Sequence, residues 1–545
     1  MPEIKNMKDL PSAEDTAAPK SEPLVRTGEM PESSDNVEGK GHNAHLTNGR
    51  LLARNTIWNL IGSGAPLLVA VFSIPILIQG LGKERFGVLT LAWALIGYAS
   101  LFDLGLGRAL TQLVAMKLGA GKHSEVPTLV WTSLILMLVL GLAGTLVAVL
   151  LSPWLVHRAL NVPAALQRET LLSFYLLGLS IPVVISTAGL RGLLEAHQRF
   201  GLTNVVRISM GILTIAGPLM VLPFSRSLLP TIAVLVSARV SAWVATLLLC
   251  FHVVPALRAW KAVDRTAARD LVRFGSWMTI TNIIGPLMSY MDRFVIGAMI
   301  SVAAVAYYTA PSEALSNMGV IPAGIVGVLF PAFAASFDSD PDRTKRLFSR
   351  GVKYTFLVTF PTTLIIVALA RQGLELWLGL EFAKNSLRAL QLLAVGRLLN
   401  SLAQVPFGLV QGAGFPHLTA KLHLIELPFY LATVWWLTHL MGIEGAAIAW
   451  VLRVTVDTVI LFVMSQKLLR YSLSVIWQVM FVMGLTVLSL TAAVLPMATP
   501  SKIIFIVLTL FVFTLLTWPY IRHEVGKQAI SSIFGSSMKT FEQAQ

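Results

Sequence analysis

Beyond residue 50 the chain alternates between long apolar stretches and short polar joints, and about fourteen of those stretches approach the ~20 residues a helix needs to cross a bilayer. The stretches Leu129 to Leu151, Val475 to Leu495 and Ile503 to Tyr520 contain no Asp, Glu, Lys or Arg. In hydrocarbon only a helix satisfies its own backbone over such a length, so an all-α integral membrane protein is expected. The pattern predicts spanning helices at 57–79, 88–116, 128–151, 171–194, 205–224, 228–251, 274–299, 304–335, 354–370, 386–411, 422–441, 443–466, 475–496 and 503–521. Residues 1–50 are rich in Pro, Ser, Glu, Asp and Lys, and they are expected to form a disordered cytoplasmic tail. No apolar run follows a basic start there, so the first spanning helix is expected to serve as the insertion signal.

Composition agrees with the pattern. Charged residues make up 13% of the chain, against about 25% in an ordinary soluble domain. The formal net charge of +14 would suggest nucleic acid in a soluble protein. Topology explains it here: with the N-terminus inside, Lys117, Lys122, Arg191, Arg199, the run from Arg258 to Arg273, the run from Arg343 to Lys353, Lys421, Lys467 and Arg470 all fall on the cytoplasmic side. Both termini are therefore expected to be cytoplasmic, with membrane lipids and not nucleic acid as the partner of this charge. The single cysteine, Cys250, cannot form an internal disulfide.

An internal repeat sets the domain organisation. At one ungapped offset Gly192-Leu193-Leu194-Glu195 falls on Gly408-Leu409-Val410-Gln411, Leu202-Thr203 on Leu418-Thr419, and Ile232-Ala233 on Ile448-Ala449. A looser match relates Asn59-Leu60-Ile61-Gly62 to Asn282-Ile283-Ile284-Gly285. Because six helices separate the copies, an even number, both enter the membrane in the same orientation, as in parallel-repeat transporters. The expected units are a tail at 1–50, a six-helix lobe at 51–251, a basic cytoplasmic linker at 252–273, a second six-helix lobe at 274–466, two additional helices at 475–521 and a cytoplasmic tail at 522–545.

Three stretches carry a family resemblance: Gln79-Gly80-Leu81-Gly82-Lys83-Glu84-Arg85-Phe86-Gly87 running into Phe102-Asp103-Leu104-Gly105-Leu106-Gly107-Arg108-Ala109; Leu190-Arg191-Gly192-Leu193-Leu194-Glu195; and Tyr290-Met291-Asp292-Arg293-Phe294 with Ala306-Tyr307-Tyr308-Thr309-Ala310-Pro311. Over about residues 50 to 520 the chain resembles the polysaccharide-transporter flippases, the O-antigen-unit branch of the multidrug, oligosaccharidyl-lipid and polysaccharide exporter superfamily. The resemblance implies a carrier that moves a polyprenyl-diphosphate-linked oligosaccharide across the bacterial inner membrane for surface polysaccharide synthesis. It also implies polysaccharide polymerase and export proteins as partners, and no cofactor. Arg108, Arg191 and Glu195 lie within the motifs.

Such a substrate combines an anionic diphosphate, a polar glycan and a long apolar tail, so its carrier needs cationic donors at membrane depth. An ionisable group within a span costs about 2.5–3.5 kcal/mol on insertion scales and calls for a reason. Arg239, Arg397 and Arg453 fall near the middle of the sixth, tenth and twelfth stretches, and Arg293 lies in the seventh. Guanidinium offers paired donors and stays protonated when desolvated, so these four are the candidate diphosphate and glycan ligands. Asp103, Asp292, Glu313 and Asp457 are candidates either for ion coupling or for charge balance. Arg453 and Asp457, one turn apart, are also placed to neutralise each other, Asp292 to pair with a neighbouring helix, and Arg108 to reach an interface.

Other functions fit less well. A cation-coupled multidrug exporter shares the architecture, but its site should be dominated by carboxylates and aromatics. A glycan polymerase or ligase needs a larger outside loop; the longest here, about Ser152 to Thr170, holds one acidic residue, Glu169. No Gly-x-x-x-x-Gly-Lys-[Ser/Thr] loop is present, which argues against ATP hydrolysis within the chain. His417, His423 and His439 are read as having neither helical metal-ligand spacing nor acidic or cysteine companions, so no metal is expected. Prolines 66, 75, 182, 286 and 361 fall inside spans and are expected to kink them.

Overall fold

The computed structural model describes residues 69–99, 105–197, 199–337, 339–470, 473–495 and 498–518. Every regular element among them is helical: α1 Val69–Leu81, α2 Lys83–Ala99, α3 Leu106–Gly119, α4 Val126–Trp154, α5 Ala164–Leu179, α6 Ile181–Ala196, α7 Phe200–Val221, α8 Leu228–Val253, α9 Arg265–Met299, α10 Val302–Ser316, α11 Val320–Ser336, α12 Pro341–Ala368, α13 Ala370–Leu378, α14 Leu380–Gly412, α15 Pro416–Leu469, α16 Leu473–Val494 and α17 Thr499–Trp518. Eight helical runs among the described residues are long and apolar enough to cross a membrane. Their outward faces carry apolar side chains such as Leu146, Leu150, Phe511 and Leu515, which only lipid can cover without penalty. Residues 1–68, with Pro66 and the expected N-terminal tail, lie outside the described residues, as do 519–545.

Several predicted spans are divided. The fourth becomes α5 and α6, broken at Ser180 just before Pro182, where the ring removes a donor. The eighth becomes α10 and α11 around a 3₁₀ turn at Asn317–Gly319. Helix α12 instead runs unbroken through Pro361. The eleventh and twelfth form one run, α15, reversed at Gly442 with φ 63° and ψ −140°, a conformation nearly confined to glycine. The segment read as the longest outside loop, Ser152 to Thr170, is largely helical: a π-turn at Leu155–Ala159 extends α4, and α5 begins at Ala164. A short amphipathic helix, α13, occupies the polar joint before α14, where Leu376 stays exposed.

The equivalent glycines of the repeat make equivalent contacts. A β-carbon on Gly192 of α6 would strike Thr111 and the Gly107 carbonyl of α3, and one on Gly408 of α14 would strike Val326 of α11. In each case a helix of the repeat lies tight against the second helix of its own half.

The apolar core is divided unevenly. Toward the helix ends that carry Lys83, Glu169 and Glu381, one cluster draws on both halves of the chain: Ile74, Phe86, Leu89, Phe174 and Leu235 pack with Ile296, Val302, Tyr308, Leu364 and Leu390. Toward the opposite ends the clusters separate. Leu110, Leu129, Met137, Leu190, Leu193 and Leu271 form one, and Leu329, Phe333, Phe348, Val405 and Leu409 another. The halves therefore share a core at one rim and keep separate cores at the other.

The shared rim is also laced by polar contacts. Lys83 Nζ donates to Glu381 Oε1 at 2.5 Å, and the Tyr307 hydroxyl donates to the same oxygen. The Glu381 carboxylate beside Lys83 holds its ammonium above the ordinary value. Asn161 donates its side-chain amide to the Ala298 carbonyl at 2.8 Å, and the Trp377 indole N–H reaches the Val71 carbonyl at 2.6 Å. Gly87 lets α2 approach α10 so closely that a β-carbon would collide with the Val302 carbonyl.

Candidate substrate and ion site

Charged side chains gather inside the bundle in the C-terminal half. Arg293, 6% exposed on α9, donates through Nη2 to Glu313 Oε1 of α10 at 2.8 Å. Its neighbour Asp292 accepts the Tyr308 hydroxyl at 2.7 Å and the Arg293 backbone amide. Asp292 is thus paired with the next helix, one of the arrangements the sequence left open. The Tyr290 ring lies 5.1 Å from the Arg293 guanidinium. Arg293 is consequently engaged by carboxylates before any ligand arrives.

The other arginines are not. Arg397 of α14 stacks over Trp450 at 5.0 Å, within electrostatic reach of Glu313 and Asp292, and makes no ion pair among the described residues. Arg453 stacks over Tyr430 at 5.6 Å, and its Nε has no hydrogen-bond partner. The pairing of Arg453 with Asp457 across one turn is not formed: Asp457 turns instead to His423, at 3.5 Å. Arg239 of α8 is 9% exposed and donates through Nη1 to the Leu235 carbonyl of its own helix at 2.9 Å. No carboxylate faces it among the described residues.

Of the motif residues, Arg108 is exposed on α3, and Arg191 pairs with Glu195 at 3.7 Å across one turn of α6. Asp103 lies outside the described residues. Sequence reading missed Glu426, a buried carboxylate one turn from His423 on α15. The expectation that no acidic group accompanies the histidines is thereby corrected, since Glu426 and Asp457 both approach His423 once α15 folds back at Gly442. The i, i+3 spacing of His423 and Glu426 was visible in the sequence, whereas the approach of Asp457 required the hairpin.

A bundle of apolar helices around a set of buried arginines and carboxylates defines a multi-pass membrane transporter. An inward-facing multidrug-resistance MATE family transporter of the MOP superfamily superposes with a TM-score of 0.64 at 15% identity, over 76% of this chain and 98% of its own. An outward-facing MATE family transporter superposes with a TM-score of 0.56 at 16% identity, over 77% and 95%. The sequence pattern of the family "Polysaccharide biosynthesis protein" matches residues 52–337. A Shigella flexneri protein described as "Putative O-antigen transporter" is 32% identical over 417 residues, which is 75% of this chain and 96% of that protein. The chain belongs to the polysaccharide biosynthesis protein family, a family of transporters and not of enzymes.

Proposed function

We propose that the protein is a flippase that carries a polyprenyl-diphosphate-linked oligosaccharide from the cytoplasmic to the periplasmic leaflet of a bacterial inner membrane by alternating access. Fourteen spans in two parallel six-helix lobes, with two further helices at the C-terminus and both termini cytoplasmic, complete this reading. The observation that carries it is the placement of guanidinium groups without carboxylate partners, Arg239, Arg397 and Arg453, at the depth where one shared core gives way to two. Arg397 and Arg453 each have an aromatic face behind them, which holds the planar cation while leaving its N–H edge for a phosphate. Arg293, already engaged by Glu313, serves better to hold α9 against α10 and to set the charge of the site.

The shared rim fits an outward gate that is closed, and the split rim a vestibule open toward the cytoplasm. The better superposition on an inward-facing relative in fold supports that assignment. Asp292, Glu313 and Asp457 are the candidates for coupling, together with Asp103. Substrate polarity separates this reading from the drug-exporter alternative: arginines that make no direct ion pair among the described residues suit an anionic headgroup and repel a cationic drug.

The test is transport in proteoliposomes of a fluorescent undecaprenyl-diphosphate oligosaccharide, followed by lectin accessibility on the outer leaflet. Wild-type protein should expose the glycan, and the Arg397→Ala/Arg453→Ala double variant should lose this while remaining folded. Equal rates in both would end the anion-binding role. Export of cationic dyes without glycan exposure would favour the drug exporter.

A further inference from the structure

We propose that His423, Glu426 and Asp457 form a binding site for a divalent transition-metal cation of the zinc–manganese class, built into the hairpin of α15. This site stands apart from the anion-binding reading above and does not depend on it. The three side chains present one imidazole nitrogen and two carboxylates, and the ligating atoms all lie within 4.8 Å of one another. His423 Nε2 stands 3.5 Å from Asp457 Oδ1. Around a tetrahedral metal with bonds of ~2.0–2.1 Å neighbouring donors stand about 3.4 Å apart, so small side-chain rotations complete the geometry.

The second observation is the state of Glu426. It is 7% exposed, inside an apolar helix, and neither carboxylate oxygen has a hydrogen-bond partner. A buried carboxylate with nothing to accept is among the most costly arrangements in a protein, and native structures rarely keep one without a ligand. Asp457, 6% exposed, likewise has Oδ1 without a hydrogen bond. Arg453 is within electrostatic reach of Glu426, and metal binding requires both carboxylates deprotonated, a state with one negative charge more than Arg453 supplies. A divalent cation removes that excess and leaves the group, Arg453 included, with one positive charge.

The donor set selects among cations. Imidazole suits zinc, copper, iron and nickel and carboxylates suit manganese, so a mixed nitrogen and oxygen set favours a transition metal over sodium, which prefers oxygen donors alone. The His423 ring is stacked on Phe407 with centroids 5.9 Å apart and planes 12° apart, which fixes the direction of its nitrogens. Glu426 and Asp457 are buried, while His423 keeps about a quarter of its side chain exposed, which leaves a path for an ion to enter. Sequence supplies the two nearer ligands on one helix face, and the reversal at Gly442 supplies the third. Bound metal would pin the two arms of the hairpin and, through Asp457 and Arg453 on the same helix face, fix the position of a candidate substrate ligand.

The experiment uses untagged full-length protein in nanodiscs, stripped with a chelator and titrated with Co²⁺ and Zn²⁺ by calorimetry. Visible absorption reads the Co²⁺ coordination. One equivalent should bind, with ligand-field bands of a four- or five-coordinate ion, and Zn²⁺ should displace it. Glu426→Gln and His423→Gln should each weaken binding by more than the roughly 10- to 100-fold that loss of a group merely orienting a ligand costs. Pulsed EPR of Mn²⁺-loaded wild-type protein should detect one imidazole nitrogen, a readout that needs no variant to fold. Failure of the wild-type protein to bind a metal, unchanged binding in both variants, or absence of nitrogen coupling would each overturn the proposal. So would stabilisation by Na⁺ alone. None of these measurements involves glycan transport, so the metal site and the flippase reading stand or fall separately.

Discussion

Alanine at Arg239 and alanine at Arg293 should act on the folded protein in opposite ways, although both arginines are buried and both lie in spanning segments. Arg293 is held at 2.8 Å by Glu313, so its removal takes the guanidinium from that carboxylate, while Asp292 keeps the Tyr308 hydroxyl and the backbone amide of residue 293. Breaking a buried pair from one side costs about 3–5 kcal/mol. Glu313 keeps 34% of its side-chain surface exposed and can be partly rehydrated, which places the expected loss near the lower figure, about 3 kcal/mol. Arg239 strands nothing, because only a carbonyl of its own helix accepts from it. Its removal relieves an insertion cost of about 2.5–3.5 kcal/mol, less the packing of its aliphatic stem, so the net change should be near zero or stabilising by about 1 kcal/mol. The assay is thermal unfolding of purified protein in detergent, paired with glycan export in a deletion strain. Arg293→Ala should unfold well below the wild type and be rescued in part by Glu313→Gln in the same chain. Arg239→Ala should unfold with the wild type yet fail in export. An Arg239→Ala protein less stable than Arg293→Ala, or a double variant with no recovery, would refute the distinction between a paired and an unpaired guanidinium.

Three further outcomes follow from the geometry. Glu381→Gln leaves an acceptor for Lys83 and Tyr307 but removes the negative charge they share; exposed pairs contribute about 0.2–1 kcal/mol, so spin-label distances across this rim should show an open population raised by up to about fivefold. Because the Glu381 carboxylate raises the Lys83 ammonium above its ordinary value and Lys83 in turn lowers the Glu381 carboxyl, this contribution should be full between about pH 4 and about pH 10 and be lost as pH falls through the lowered Glu381 value or rises through the raised Lys83 value, and a loss at neutral pH would contradict the pairing. Gly442→Ala should cost about 1–3 kcal/mol, read as a lower unfolding temperature, because the turn of α15 uses a conformation that a β-carbon resists. Asp264 caps α9 through the Thr266 hydroxyl and the Thr266 and Ala267 amides, which hold its carboxyl below the usual range; exchange protection of those amides should persist above pH about 4 and vanish as pH falls through the lower folded value.

Much of the bundle was legible because hydrocarbon leaves the backbone so little choice. The uncharged run Leu129 to Leu151 reappears within a single helix, as does the apolar stretch Leu228 to Cys250 around its one charge, Arg239, and the matched glycines 192 and 408 reappear in matched contacts. Breaks were harder to read. Pro182 ends a helix whereas Pro361 does not, since the cost of a proline depends on whether neighbouring groups can take up the freed carbonyl, and composition does not record neighbours. At the site, the rarity of charge in spans exposed Arg239, Asp292, Arg293, Arg397 and Asp457 directly. Their pairing was not legible. Asp457 meets His423 rather than Arg453, and Lys83 meets Glu381 almost three hundred residues away, because partners across a bundle are set by rotation about helix axes and not by spacing along the chain.

The fused core at the Glu381 rim gives closure a thermal character. Packing Phe86, Leu89 and Leu235 against Val302, Tyr308 and Leu364 removes apolar surface from water, and that contribution weakens on cooling with a large heat-capacity change. The seal on that side should therefore tighten with warmth across the physiological range and loosen in the cold, where the few polar clasps at Lys83, Asn161 and Trp377 carry more of the burden.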